Sequence, residues 1–397
     1  MKIINFGIVN IKLLIPVFGG IARLIYIFLI HLNPKYEIVK KNPFILNIYT
    51  SIGMIFSFIP FLIFKYRSKS KTESKTIDSE VTQNESKLTI ELIHSDAYEE
   101  IELNKRNKYK LIVCSGIFDF LQVLLLTVFC IYCDYNLWIF DNFFMCLFSY
   151  LILKTKIYKH QCFSMFIIII LGLVLNSVKY FNTGNKLDPL ELSMKLLSEI
   201  CLSLGCVIVK YNLETTYCSP YEICLWEGFL GLILNIIILI VINQLKVTIS
   251  GIEYPNNFYE LFDNYDINDF IVCIGELLMN AIYNIVLFVT CDYFTPIHIL
   301  ITYIIKEFYS YLRADGNLAL NILGIFILIL IGFMFLIFVE IIELNICNLS
   351  FNTKKNIELR STAEDSFEKE KDLNPQEEML IDEGEMRNTS FASSDGY

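Results

Sequence analysis

The feature that most constrains this chain is its long uninterrupted apolar runs. Cys162–Val178 and Ile322–Val339 contain no charged side chain at all. At 1.5 Å of rise per residue, runs of this length match the roughly 30 Å hydrocarbon core of a bilayer. A backbone crossing that core must satisfy its own polar groups, so such runs are helices. The pattern recurs along the 397 residues, of which 55% are hydrophobic and 19% charged. A soluble protein needs more polar cover than that. The sequence therefore predicts an all-α, multi-pass integral membrane protein with the lipid bilayer as its first partner.

The hydropathy pattern predicts ten transmembrane helices: Leu13–Leu32, Pro43–Phe64, Tyr109–Tyr132, Leu137–Leu153, Cys162–Tyr180, Leu192–Val209, Ile223–Ile242, Phe270–Thr290, Thr295–Leu312 and Leu318–Ile341. The chain then divides into helices one and two (1–64), a cytosolic polar loop (65–108), helices three to five (109–182), helices six to ten (190–345) and an acidic, disordered cytosolic tail (352–397). That tail region is charged and poor in aromatic residues, which leaves it little to bury. From Phe351 on it holds twelve acids against six Lys/Arg, so it supplies more than half of the net charge of −10. The acidity is therefore not a property of the membrane region, and nothing in the chain points to nucleic acid.

Orientation follows from the lysines and arginines. The segment from Lys65 to Lys110 carries ten of them. Lys154, Lys156 and Lys159 follow helix four, and Lys354, Lys355 and Arg360 open the tail. The bias places both termini in the cytosol, with Lys35, Lys40 and Lys41 in the first loop as the one contrary group.

Three short motifs occur twice in the same order. Ile112–Gly116 and Ile271–Gly275 share Ile-Val-Cys-x-Gly. Cys133-Asp134-Tyr135 matches Cys291-Asp292-Tyr293, and Ser149-Tyr150-Leu151 matches Ser310-Tyr311-Leu312. The first set spans helices three and four, the second helices eight and nine. Five spans separate the copies, and five is odd, so the copies cross the membrane in opposite directions. That is the signature of a 5+5 inverted repeat, the architecture of many secondary transporters. Asp134 and Asp292 stand where helices four and nine begin and are expected to cap them.

Ionisable groups at membrane depth face a cavity or a partner. Arg23 sits midway along helix one, where it either pairs with a carboxylate or binds an anion. Ser115, Asp119 and Gln122 share one face of helix three, and Glu276, Asn280 and Asn284 share one face of helix eight. Gln122 and Asn280 fall at the same place relative to the two Cys-Asp-Tyr copies. These stripes read as walls of a polar cavity, with interhelical hydrogen bonding as the alternative. Asp141 and Asn142 in helix four, and Lys306 and Glu307 in helix nine, are further candidates. Lys306 either meets an anionic substrate group or pairs with Asp141 or Glu307. Glu227, near the start of helix seven, reads as structural. The candidate substrate site is thus Arg23, Asp119, Gln122, Asp141, Asn142, Glu276, Asn280, Asn284, Lys306 and Glu307. The 12 cysteines and 4 histidines form no ligand set, so no metal and no cofactor is expected.

Several segments resemble the nucleotide-sugar-transporter-like branch (solute carrier family 35) of the drug/metabolite transporter superfamily. They are Asn42-Pro43-Phe44, Lys210-Tyr211 followed by Ser219-Pro220-Tyr221, Trp226-Glu227-Gly228-Phe229-Leu230-Gly231, and Asp119 early in helix three. Phe140-Asp141-Asn142-Phe143-Phe144 stands where that branch carries a Leu-Arg-Gly-like element. The resemblance implies ten helices in 5+5 symmetry, a central site bordered by helices four and nine, and an endomembrane location such as Golgi, lysosome or vacuole. The expected function is a secondary transporter moving a small polar or anionic metabolite, such as a nucleotide sugar, by alternating access. The alternative is a non-transporting receptor or scaffold on the same fold. A membrane enzyme would need a cluster of catalytic His, Asp or Glu, and none is visible, so no catalytic residue is assigned. A second copy of the chain is admitted as a partner, forming a homodimer.

Overall fold

A computed structural model describes residues 4–6, 11–32, 43–63, 65–66, 87–129, 137–183, 189–216, 218–245, 248–249, 252–253, 267–313 and 317–344. Its helices are α1 (Leu14–Leu32), α2 (Pro43–Ile55), α3 (Lys87–Phe129), α4 (Trp138–Ile152), α5 (Lys159–Thr183), α6 (Pro189–Thr216), α7 (Pro220–Leu245), α8 (Ile267–Tyr293), α9 (Leu300–Arg313) and α10 (Leu318–Phe338). Among the described residues, seven helices are long and apolar enough to cross a membrane: α1, α5, α6, α7, α8, α10 and the part of α3 from Asn107 to Val128. Asn47–Ile63 and α4 are shorter apolar helices. The protein is thus helical and of integral membrane type, as the apolar runs require.

The helices differ from the predicted spans in three informative ways. The second is interrupted by a turn at Phe56-Ser57 and resumes over 58–63. Pro60 causes this, because it has no N–H to offer the Phe56 carbonyl and its ring crowds that position. The third helix begins at Lys87, so the second half of the expected polar loop is helical and runs unbroken into the membrane segment. From Lys87 to Lys108 there is no Gly or Pro, and Glu, Leu and Lys dominate, all good helix formers. The ninth begins as a 3-10 turn over Pro296–Ile299.

The described chain forms two compact units. Among the described residues, the smaller contains 4–6, 157–164 and 336–344, and the larger contains those within 9–156 and 165–335. In the smaller, β1 (Ile4–Phe6) pairs antiparallel with β4 (Ile342–Leu344), Ile4 opposite Leu344. In the larger, β2 (Thr248–Ile249) and β3 (Ile252–Glu253) form a hairpin after α7.

Within the larger unit several of the packing pairs come in couples. α3 packs on α6 and α8 on α1; α4 packs on α6 and α9 on α1; α2 meets α8 and α7 meets α3; α2 and α7 pack on each other. Small residues set the close approaches. Gly19 of α1 lies against Val286 of α8, and Gly205 of α6 against Phe118 and the Ser115 backbone of α3. Gly172 of α5 lies against Ile139 of α4, and Gly324 of α10 against the Tyr311 ring of α9. The outward faces stay apolar: Phe166, Phe181, Ile233, Ile271 and Phe326 are all more than half exposed, as lipid contact demands.

Candidate functional site

The polar stripe of α3 converges with residues from six other helical segments on a cavity of about 240 Å³. Ser115, Asp119 and Gln122 supply one wall, as their spacing predicts. Arg23 of α1, Thr50 of α2, Gly205 and Cys206 of α6, Glu227 of α7, Tyr283, Asn284 and Cys291 of α8 and Tyr303 of α9 complete it. A larger groove, about 810 Å³, lies between α4, α5 and α6, but Phe140, Phe143, Phe144, Leu173 and Phe181 make it apolar. The smaller cavity, where charge converges, is the candidate site.

Arg23 is held by aromatic rings, and among the described residues no carboxylate lies within ion-pair distance of it. Its Nη1 donates to the Tyr283 hydroxyl at 2.8 Å. Its guanidinium lies 5.0 Å from the ring centroids of both Tyr283 and Tyr303. Tyr303 stacks in turn on Trp138 at 6.2 Å, with planes 16° apart. A flat guanidinium suits this arrangement, and a desolvated cation–π contact contributes about 2 kcal/mol. Two other members of the cavity are carboxylic acids. Glu227 is 4% exposed and accepts a short hydrogen bond from Ser115 Oγ. Asp119 stands one turn along α3 from Ser115, on the same wall, and interacts electrostatically with Glu227. The cavity therefore presents one fixed cation and two acids to whatever enters it.

The structure brings together four of the ten sequence candidates, Arg23, Asp119, Gln122 and Asn284, at the cavity. The α8 stripe is real, with Glu276, Asn280 and Asn284 all buried, but only Asn284 lines the cavity. Asn284 Nδ2 donates to Asn280 O at 2.9 Å and to Asn280 Oδ1 at 3.0 Å. Asn280 Nδ2 turns to Tyr49 O of α2 at 3.4 Å, against Gly53. Part of that stripe thus joins helices, the alternative role its spacing allowed.

Asp141 and Asn142 lie fully buried on α4. Asp141 Oδ1 accepts from Ser203 Oγ of α6. Lys306 is 38% exposed by side chain, and its Nζ lies 3.6 Å from Oε1 of the buried Glu307. The Lys306–Glu307 ion pair is therefore the one that forms.

Sequence reasoning read Glu227 as structural and did not single out Tyr283 or Tyr303. Tyr283 follows Asn280 by three residues and Glu276 by seven, so the same helical face that marked the stripe also marks it. Asp292 does not cap the ninth helix. It sits in the last turn of α8, where its carbonyl accepts from Lys210 Nζ at 3.0 Å. Thr295 takes the N-cap position in extended conformation, with Pro296 next, and makes no side-chain cap bond to the backbone. Here proline supplies the helical φ that starts the turn. Asp134, in the first copy of the motif, lies outside the described residues.

Among the described residues no group of three or more His, Cys, Asp or Glu could hold a metal ion. No family model matches the chain, and no curated protein is similar to it in sequence.

Proposed function

We propose that this chain is a ten-helix secondary transporter built as a 5+5 inverted repeat, moving a small polar metabolite by alternating access. The observation that carries the reading is the coupling of packing pairs. Shifting each helix number by five turns α3·α6 into α8·α1, α4·α6 into α9·α1, and α2·α8 into α7·α3. The α2·α7 pair maps onto itself, where a pseudo-two-fold axis would pass. The glycine contacts of α5 on α4 and α10 on α9 follow the same shift, each within an Ile-Leu-Gly triplet at Ile170–Gly172 and Ile322–Gly324. This pattern agrees with the twice-occurring sequence motifs and is independent of them. A charged cavity at the centre of the couples is what such a transporter needs.

A cavity of about 240 Å³ is smaller than the roughly 300–1,000 Å³ of drug-sized ligand sites. That favours a metabolite smaller than a nucleotide sugar. Arg23 suits an anionic group, and Asp119 with Glu227 suits a cationic or hydroxyl-bearing one. The lysine and arginine bias supports cytosolic termini, and the family resemblance supports an endomembrane location.

The test is uptake into proteoliposomes from a panel of labelled amino acids, organic acids, sugars and nucleotides. Arg23→Ala and Asp119→Asn should each lower uptake at least tenfold, and Lys306→Ala should leave it near wild type. No uptake of any member by the wild-type protein would favour the receptor or scaffold reading. Topology is read separately with single cysteines at Lys154, Tyr293 and Asn317 in a cysteine-free background. The ten-helix arrangement expects positions 154 and 293 to label from one side and 317 from the other. Labelling of 293 and 317 from the same side would mean that α9 does not cross.

A further inference from the structure

A second polar cluster lies off the cavity, where α4 packs on α6, and its chemistry is incomplete. Asp141 is 0% exposed and Glu199 is 6% exposed. Glu199 stands one turn from Ser203 on α6, and Ser203 bonds Asp141, so the two carboxylic acids act on each other as like charges. Asp141 Oδ1 is satisfied by Ser203 Oγ, which in turn lies 2.8 Å from the Glu199 carbonyl. The other oxygen, Asp141 Oδ2, is buried with no hydrogen-bond partner. So are Asn142 Oδ1 and Ser198 Oγ, on the same two helices. Buried acceptors are left unpaired in native proteins only rarely, because each forgoes the hydrogen bonds it made to water.

Among the described residues no cation closes this gap. Arg23 is committed to Tyr283 and Tyr303, and Lys306 to Glu307. Arg23, Lys306 and Lys195 act on Glu199 only at longer range. Tyr283, Tyr303 and Cys206 are further titratable groups that interact electrostatically with Asp141. Neither Asp141 nor Glu199 has a basic nitrogen within ion-pair distance among the described residues. Two carboxylates on packed helices, both shielded from water, call for one compensating positive charge.

We infer that the Asp141–Glu199 pair is a binding site for one monovalent cation, seated on Asp141 Oδ2 between α4 and α6. A proton and a sodium ion share the chemistry required, a single positive charge on a carboxylate oxygen. The claim concerns binding and stands whether or not the cavity transports a metabolite.

The test uses the full chain in phosphatidylcholine nanodiscs with two probes. In the first arm, melting temperature is followed as sodium chloride replaces choline chloride at constant ionic strength and pH. A sodium site gives a saturable rise, because a ligand bound only by the folded state stabilises it. In the second arm, sodium is absent and infrared difference spectra follow the carboxylic-acid carbonyl band from pH 4 to 9. A proton site gives a band that titrates in that range. Whichever response the wild type shows should be abolished, or its midpoint moved at least tenfold, by Asp141→Asn and by Glu199→Gln. Glu214→Gln, at an exposed turn of α6, should leave it unchanged. A wild-type protein silent in both arms overturns the site. A response that survives both substitutions overturns it as well. If Asp141→Asn does not fold, Glu199→Gln and the wild-type responses still decide.

Discussion

Gly228 gives the sharpest test of the central packing. It sits where α7 packs on α2, the pair that the five-helix shift maps onto itself. A Cβ at this position would stand 2.8 Å from Met54 Cβ, 2.9 Å from Ser51 O and 3.0 Å from Ile55 N. Two of those atoms are backbone, so no rotamer change relieves the contact. Restoring ordinary van der Waals spacing requires the helices to part by about 0.5–1 Å, which forfeits dispersion along the seam. Overpacking of this kind costs about 1–3 kcal/mol. Gly332 on α10 is the matched control, since nothing lies within 4 Å of a Cβ there. Gly332→Ala should only gain the helix propensity of alanine, about 1 kcal/mol. That propensity gain applies equally at Gly228, so the two variants should differ by the packing cost alone, about 1–3 kcal/mol.

The assay is thermal unfolding of purified protein, reported by a thiol-reactive dye. Cys224, fully buried on α7, is a built-in probe of this seam. Gly228→Ala should label at lower temperature than wild type, and Gly332→Ala at the same temperature or higher. Parting α2 from α7 also moves Glu227, next in sequence, away from Ser115, so uptake should fall with stability. Equal melting of the two variants would refute the close α2–α7 approach and, with it, the axis on which the repeat reading turns.

Three further outcomes follow from the same geometry. Arg23→Lys keeps the charge but loses the planar group between two tyrosines, so it should cost about 1–2 kcal/mol in thermal unfolding and lower uptake; wild-type behaviour would show that the stacking contributes nothing. Ser115→Ala removes the donor to Glu227 and should destabilise by about 1.5–3 kcal/mol, while Ser115→Thr, which keeps a hydroxyl, should recover most of the loss. Lys108 Nζ and Glu222 Oε2 lie 2.7 Å apart at the start of α7, partly exposed to solvent, so Lys108→Met should cost no more than about 1 kcal/mol, and less at high salt.

The apolar runs announced most of the helices because each is long, uncharged and bounded by loop residues. The last helix was legible for that reason, its start at Leu318 to the residue and its end three residues short of the expected Ile341. The helix of Lys87–Lys108 was not, since polarity in a membrane chain reads as loop when no apolar face marks it. The Ser115, Asp119 and Gln122 wall was also legible, because three polar residues at helical spacing inside an apolar run must share a direction. Glu227 was not, because a carboxylate near a helix start has an adequate local explanation. Its burial against Ser115 depends on how closely α3 and α7 pack at Gly116.

By itself, then, the sequence determined the solvent of this protein, its helical class and the faces on which its polar residues lie. Those follow from the cost of exposing backbone and charge to lipid, which is paid locally, residue by residue. The tertiary structure decided which polar faces meet. It drew Arg23 between two tyrosines, set Asp119 near Glu227, and paired Asp141 with Glu199, which are 58 residues apart. No local pattern encodes such meetings, because they depend on which glycines let which helices approach.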